Sequence, residues 1–209
     1  PHRNAFHLRR YLGYNWDGKV KYITDAGYFP TGLLPKVIRY LEENKKEFEF
    51  DDLRKPIIPG PIPLKLNGIL LRPYQVEVIT LIRDNYLNNG DLYFPRGIIG
   101  AATNAGKTLM MAAIAKMFGG KAVCLINSKE LFVDLLTEVP KFLPGKVGQI
   151  SSNKIEWNEF MVCMAPTLKN RIKLHSTARK LAEYPVCLID ECDLSDNKTY
   201  KISINTGLY

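Results

Sequence analysis

GIIGAATNAGKTLMMAAIAKMFGGKAVCLI, residues 97–126, is the stretch whose reading decides the fold. GIIGAA (residues 97–102) is a short apolar run of strand length, and residues 107–118 carry helical spacing closed by Gly119 and Gly120. KAVCLI (residues 121–126) is apolar almost throughout, as a strand covered on both faces has to be. Strand, loop, helix and strand in that order form the repeating unit of a parallel α/β sheet. The loop AATNAGKT (residues 101–108) therefore lies where a strand hands over to a helix N-terminus, the place where backbone amides and the helix dipole attract phosphate. Gly106 lets the backbone wrap an anion, Lys107 adds a charge for β and γ phosphates, and Thr108 offers a hydroxyl to Mg2+. The strict pattern GxxxxGK[ST] wants glycine at position 101, where this chain has Ala101.

On both sides the alternation of helix and strand continues. RPYQVEVITLIRDNYL (residues 72–87) opens with Pro73 at a helix start, and its spacing puts Val78, Ile82 and Tyr86 on one face. Downstream, Ser128 is placed to cap a helix that Pro140 ends. FMVCM (residues 160–164) reads as a strand, a basic helical stretch follows, and VCLID (residues 186–190) is one more strand. Upstream, KKEFEFDDLRKPIIPGPIPLKLNG brings Pro56, Pro59, Pro61 and Pro63 close together, which suits an extended connector and sets a domain boundary near residue 60. Residues 1–50 read as a small α+β module: KVKYI (residues 19–23) alternates like a strand, DAGYFPTG is turn-rich, and LLPKVIRYLEEN (residues 33–44) is helical.

The sequence of 209 residues, 46% apolar and 24% charged, has the usage of a soluble globular chain. It opens at Pro1 without an apolar leader, which points to a piece of something longer. Cys124, Cys163, Cys187 and Cys192 have no metal-ligand spacing and read as reduced core thiols of a cytoplasmic protein. The formal charge of +8 attracts polyanions, nucleic acid being the commonest.

DECD (residues 190–193) follows the strand VCLI and so delivers carboxylates to the sheet edge from which the phosphate loop also emerges. Asp190 is the candidate to hold Mg2+, and Glu191 to polarise the attacking water. Between Glu159 and Glu183 stand Lys169, Arg171, Lys173, Arg179 and Lys180 with no acidic residue, a candidate phosphate-contacting face.

AATNAGKT resembles the AxTGxGKT loop of superfamily 2 helicases, with Asn104 where Gly is usual, and DECD resembles their DExD/H box. In that pattern Ala101 is normal. LRPYQ (residues 71–75) is similar to the short motif upstream of the loop in the same families, which implies that Gln75 reads the adenine edge, with Arg72, Thr103, Asn104, Ala105, Gly106, Lys107 and Thr108 completing the ATP site. The resemblance makes Glu191 and Lys107 catalytic and gives Thr108 and Asp190 to the metal. INSKELF (residues 126–132) and MAPTLKNR (residues 164–171) resemble motifs Ia and Ib, which line the nucleic-acid track, so Ser128, Lys129, Thr167, Lys169 and Arg171 are expected on it. GYNWDGKVKYI (residues 13–23) is similar to the small domain in front of the motor in UvsW-type phage helicases, which remodel branched DNA; Arg9, Arg10, Lys19 and Lys21 are its candidate phosphate contacts, and Trp16 is either a stacking residue or a core residue.

The resemblance implies a small α+β DNA-binding domain and linker over residues 1–60, then a first RecA-like P-loop motor domain over residues 61–209 that is truncated at its C-terminus. Its cofactors are ATP and Mg2+, and its partners are branched or duplex DNA and a second RecA-like domain of the full-length chain. Without that second domain and its arginine finger, the fragment is expected to hydrolyse ATP poorly. The activity expected is ATP-dependent DNA unwinding or branch migration. A restriction-enzyme translocase subunit, an RNA helicase, a small-molecule kinase and a non-catalytic nucleic-acid module remain as alternatives.

Overall fold

The computed structural model describes residues 22–29, 33–51, 57–89 and 97–191. They fall into two compact units, Pro1–Asp51 with Asp91–Phe94, and Asp52–Gly90 with Pro95–Tyr209. In the first unit the expected helix is α1 (Leu34–Glu43), with Pro35 in its first turn and Ile38 buried. Of KVKYI only Tyr22 and Ile23 are described, and neither is in a strand. Trp16, Arg9, Arg10, Lys19 and Lys21 lie outside the described residues.

The second unit opens with a two-stranded hairpin, β1 (Lys65–Leu66) and β2 (Ile69–Leu70), and helix α2 (Pro73–Asn89). Then come α3 (Lys107–Met117), β3 (Ala122–Ile126), α4 (Lys129–Phe142), β4 (Val147–Ile150), β5 (Ile155–Glu156), β6 (Phe160–Met164), α5 (Ala165–Arg171), α6 (His175–Leu181) and β7 (Val186–Ile189). The sheet order is β5-β4-β6-β3-β7. β4, β6, β3 and β7 are parallel, and β5 joins antiparallel at the edge. All five residues of β3 are buried, the mark of a strand covered on both faces. On one face Ala122, Cys124, Ile126, Phe160 and Val162 share a core with Ile79 of α2, Met111 and Ala115 of α3, and Phe132, Leu135 and Val139 of α4. On the other, Val123, Leu125, Ile150, Met161 and Cys163 pack with Leu168, Leu181 and Tyr184. The unit is thus an α/β fold of parallel strands with helices on both faces.

Four expectations change. GIIGAA forms no strand: residues 97–102 are irregular and Ile98 is 83% exposed. No described strand lies beside the segment, and Gly97 and Gly100 weaken its extended state, since an apolar run becomes a strand only against a partner. Pro140 does not end its helix, which runs on to Phe142. Proline removes only its own N–H, and Leu143 N still reaches Val139 O at 2.9 Å. On α2 the buried apolar side chain is Ile79, with Val76, Ile82 and Tyr86 partly buried against the core, so the inward face is rotated away from Val78. Cys124 and Cys163 are core thiols, but Cys187 on β7 is exposed; Cys192 lies outside the described residues.

Candidate nucleotide site and nucleic-acid edge

The position of the phosphate loop follows from chain direction. Gly119 and Gly120, with φ of +89° and +91°, reverse the chain between α3 and β3. Eleven helical residues at about 1.5 Å each and five strand residues at about 3.3 Å each both span roughly 16 Å. Helix α3 therefore runs back along β3, held by the Cys124 and Met111 sulfurs 3.9 Å apart, and returns Lys107 to the sheet edge where β3 ends. Because the strands are parallel, Ser128 after β3, Thr167 after β6 and Asp190 after β7 leave the sheet at that same edge.

Within the loop, Asn104 and Gly106 are left-handed, with φ of +64° and +73°. Gly106 is the N-cap of α3, and Met110 N donates to its carbonyl at 3.1 Å. Thr103, Asn104 and Lys107 are exposed; Ala105, Gly106 and Thr108 are half-buried. Helix α2 grips this loop from behind. Gln75 is buried, and its Nε2 donates to Ala105 O at 2.8 Å while its Oε1 accepts from Arg72 N at 2.9 Å. The Tyr74 hydroxyl donates to the same Ala105 oxygen at 2.9 Å and accepts from Arg72 Nη1 at 3.3 Å. A Cβ at Gly106 would stand 2.5 Å from Gln75 Nε2, so only glycine fits against that amide. Sequence reading passed over Tyr74; the signal available was its place beside Gln75 in LRPYQ.

Asp190 is half-buried, its amide donating to Leu125 O at 3.2 Å, and its Oδ1 accepts from Glu191 N at 3.1 Å. Glu191 is exposed and left-handed, with φ of +54°. Burial, with the Asp190 and Cys187 charges adding to it, pushes the Cys124 thiol far up, so the thiol near Asp190 is uncharged. Asp193 lies outside the described residues.

Of the candidate track residues, Ser128, Lys129 and Thr167 stand at helix starts along the edge, and Lys169 and Arg171 lie in the last turn of α5. Ser128 Oγ caps α4, accepting from Glu130 N at 3.2 Å, and Lys129 is exposed beside it. Thr167 and Lys169 are half-buried on α5. Arg171 donates to Ser152 O at 2.9 Å and forms no ion pair with a described residue, whereas Lys180 pairs with Glu183 at 3.1 Å. Lys169, Lys173 and Arg179 form no ion pair with a described residue.

The family model described as "Type III restriction enzyme, res subunit" matches residues 68–206. The chain belongs to this family. Among solved structures, this member of the family is similar to the UvsW helicase from Bacteriophage T4, at TM-score 0.63 and 15% identity over 98% of this chain and 76% of that one. A second structure of T4 UvsW matches at TM-score 0.65 and 15% identity, over 96% of this chain and 43% of that one. No curated protein matches the sequence. Family and fold agree: a domain of this family with a RecA-like α/β fold like that of T4 UvsW. Among the described residues, no helix is long and apolar enough to cross a membrane.

Proposed function

We propose that the protein is an ATP-driven motor on DNA, which couples hydrolysis to unwinding or branch migration. The observation that carries this reading is the meeting, at one sheet edge, of the glycine-capped start of α3 with Asp190 and Glu191. The donor set fits Mg-ATP. Gly106 leaves room for an anion against the backbone, Lys107 is exposed at the helix start, and Thr108 with the second oxygen of Asp190 supplies hard ligands, a set that Mg2+ completes with phosphate oxygens and water. When bound, ATP supplies the phosphoanhydride whose cleavage drives the motor. Lys107 stabilises charge on the leaving phosphates, and Glu191 orients the attacking water and takes its proton. Ser128, Lys129, Thr167, Lys169 and Arg171 hold phosphates of one strand, because hydroxyls, helix starts and cations give a grip independent of sequence. Arg9, Arg10, Lys19 and Lys21 add duplex or junction contacts from residues 1–60, the accessory domain of this reading, ahead of the motor domain at 61–209.

In a DNA-stimulated ATPase assay of the full-length protein, Lys107→Ala or Glu191→Gln abolishes turnover while DNA binding in a mobility-shift assay stays within about twofold. Undiminished turnover in both variants refutes the reading. The family description agrees in name with one alternative, the translocase subunit of a restriction enzyme, here taken as a motor that tracks along duplex DNA without separating it. Strand displacement on forked and four-way DNA distinguishes the two, since such a translocase displaces a third strand from a triplex yet leaves the fork paired.

A further inference from the structure

Two side chains of α2 spend their donors on one atom of the phosphate loop, the carbonyl oxygen of Ala105. Nε2 of Gln75 reaches it at 2.8 Å and the Tyr74 hydroxyl at 2.9 Å. A carbonyl has two lone pairs, so both are used. In a trans peptide the C=O and the following N–H point in opposite directions. Drawing the Ala105 carbonyl towards α2 therefore turns the Gly106 N–H away from it. That donor lies at the helix start, among the amides that bind phosphate in loops of this kind. Asn104 and Gly106 on either side of Ala105 are both left-handed, a conformation glycine takes freely and asparagine at small cost, so the direction of the Ala105 peptide is set by the two donors that reach its carbonyl.

We infer that Tyr74 is a positioning residue of the nucleotide site: with Gln75 it clamps the Ala105 carbonyl and so aims the Gly106 amide at the phosphates. Its substrate class is any ligand bearing a polyphosphate, whatever the base. Gln75 is committed in the same way, one end of its amide on Ala105 and the other on Arg72 N, and Arg72 closes the set by donating to the Tyr74 hydroxyl. Tyr74 is exposed, so Tyr74→Phe deletes the hydroxyl of the clamp without opening a cavity in the core.

The inference rests on the nucleotide-binding reading above, and the test separates the two. Titration calorimetry with Mg2+ compares ATP and inorganic tripolyphosphate on the full-length protein and on Tyr74→Phe. Loss of one hydrogen bond that orders a loop weakens binding by about three- to tenfold. Because the clamp acts on the phosphate amides, both ligands weaken by the same factor, while the melting temperature of the ligand-free protein moves by less than about 2 °C. Tyr74→Phe with unchanged affinity for both ligands overturns the clamp. So does a variant that loses ATP affinity but keeps that for tripolyphosphate, because Tyr74 then contacts the base. A wild-type protein that binds neither ligand overturns the nucleotide site itself, and the clamp with it.

Discussion

Replacing Gly106 by alanine sets two costs against one gain, and all three can be sized. The residue sits at φ +73°, and an L-residue with a Cβ pays about 1–2 kcal/mol to remain there. The new methyl stands 2.5 Å from Gln75 Nε2, a side chain 2% exposed and tied at both ends of its amide. Gln75 can retreat only by breaking at least one of those bonds, at about 1 kcal/mol or more for a buried amide. Against this, alanine narrows the unfolded ensemble and returns about 0.4–1 kcal/mol. The net loss is about 2 kcal/mol, or roughly 4–8 °C in melting temperature for a unit of this size. Thermal unfolding by circular dichroism reads it. The Gln75→Ala background sharpens the test, because truncating Gln75 removes the clash but not the dihedral strain. The two substitutions should therefore be non-additive by about 1 kcal/mol, well beyond the scatter of independent sites. A Gly106→Ala protein that melts within 1 °C of wild type, or strict additivity in the double variant, shows that the Gln75 amide does not press on the loop.

Two further expectations concern the scaffold. Gly148 on β4 has no room for a methyl: its Cβ would meet Glu156 O at 2.2 Å, Asn158 N at 2.8 Å and Met161 Sδ at 2.8 Å. Two of those atoms are backbone, so Gly148→Ala forces β5 away from β4 and costs about 3 kcal/mol by chemical denaturation; a loss below about 1 kcal/mol contradicts the packing. The Tyr184 hydroxyl donates to Asn158 O at 2.6 Å, and its pKa is pushed up to about 12, first by burial, then by the charge of Glu183 and by Cys163. A tyrosine that holds its proton more tightly when folded gives stability that is fully present below its unfolded value near 10 and is lost as pH rises from there towards 12. Tyr184→Phe costs about 1 kcal/mol at neutral pH and flattens that alkaline fall; an unchanged slope between pH 9.5 and 11.5 refutes the assignment.

Much of the second unit was legible because its signals are local. The β3 and β6 runs are apolar at every position, Ser128 caps its helix through contacts within three residues, and the glycine pair after α3 needs only backbone freedom. GIIGAA was misread because a strand needs a neighbour, and nothing within six residues says whether one is there. The β4–β5 hairpin escaped notice because VGQI and IE carry little apolar pattern; their pairing is set by Gly148 and by Asn158, whose amide donates to Gly145 O at 3.1 Å. At the candidate site, AATNAGKT and DECD announce residue types but not the bonds between distant segments. That Tyr74 and Gln75 converge on Ala105, some thirty residues away, depends on how α2 packs against α3.

The left-handed residues of the candidate site differ in how well they bear that conformation. Gly106 adopts it freely, Asn104 at small cost, but Glu191 at φ +54° has no such excuse. Its backbone strain, about 1–2 kcal/mol, is sustained by the Asp190 Oδ1 bond to its amide, which fixes the turn leaving β7. Strain kept at a carboxylate proposed to orient the reacting water is what a site selected for activity over stability retains. Glu191→Gly should therefore raise stability by about 0.5–1 kcal/mol, relief of strain outweighing the added freedom of the unfolded chain, while ATP turnover falls away. Glu191→Gln keeps the strained backbone and loses the base, so it matches the glycine variant in activity but melts like wild type. Melting curves of the two variants decide the matter: if glycine and glutamine shift stability equally, the backbone at Glu191 is not strained, and the carboxylate sits in its turn at no cost.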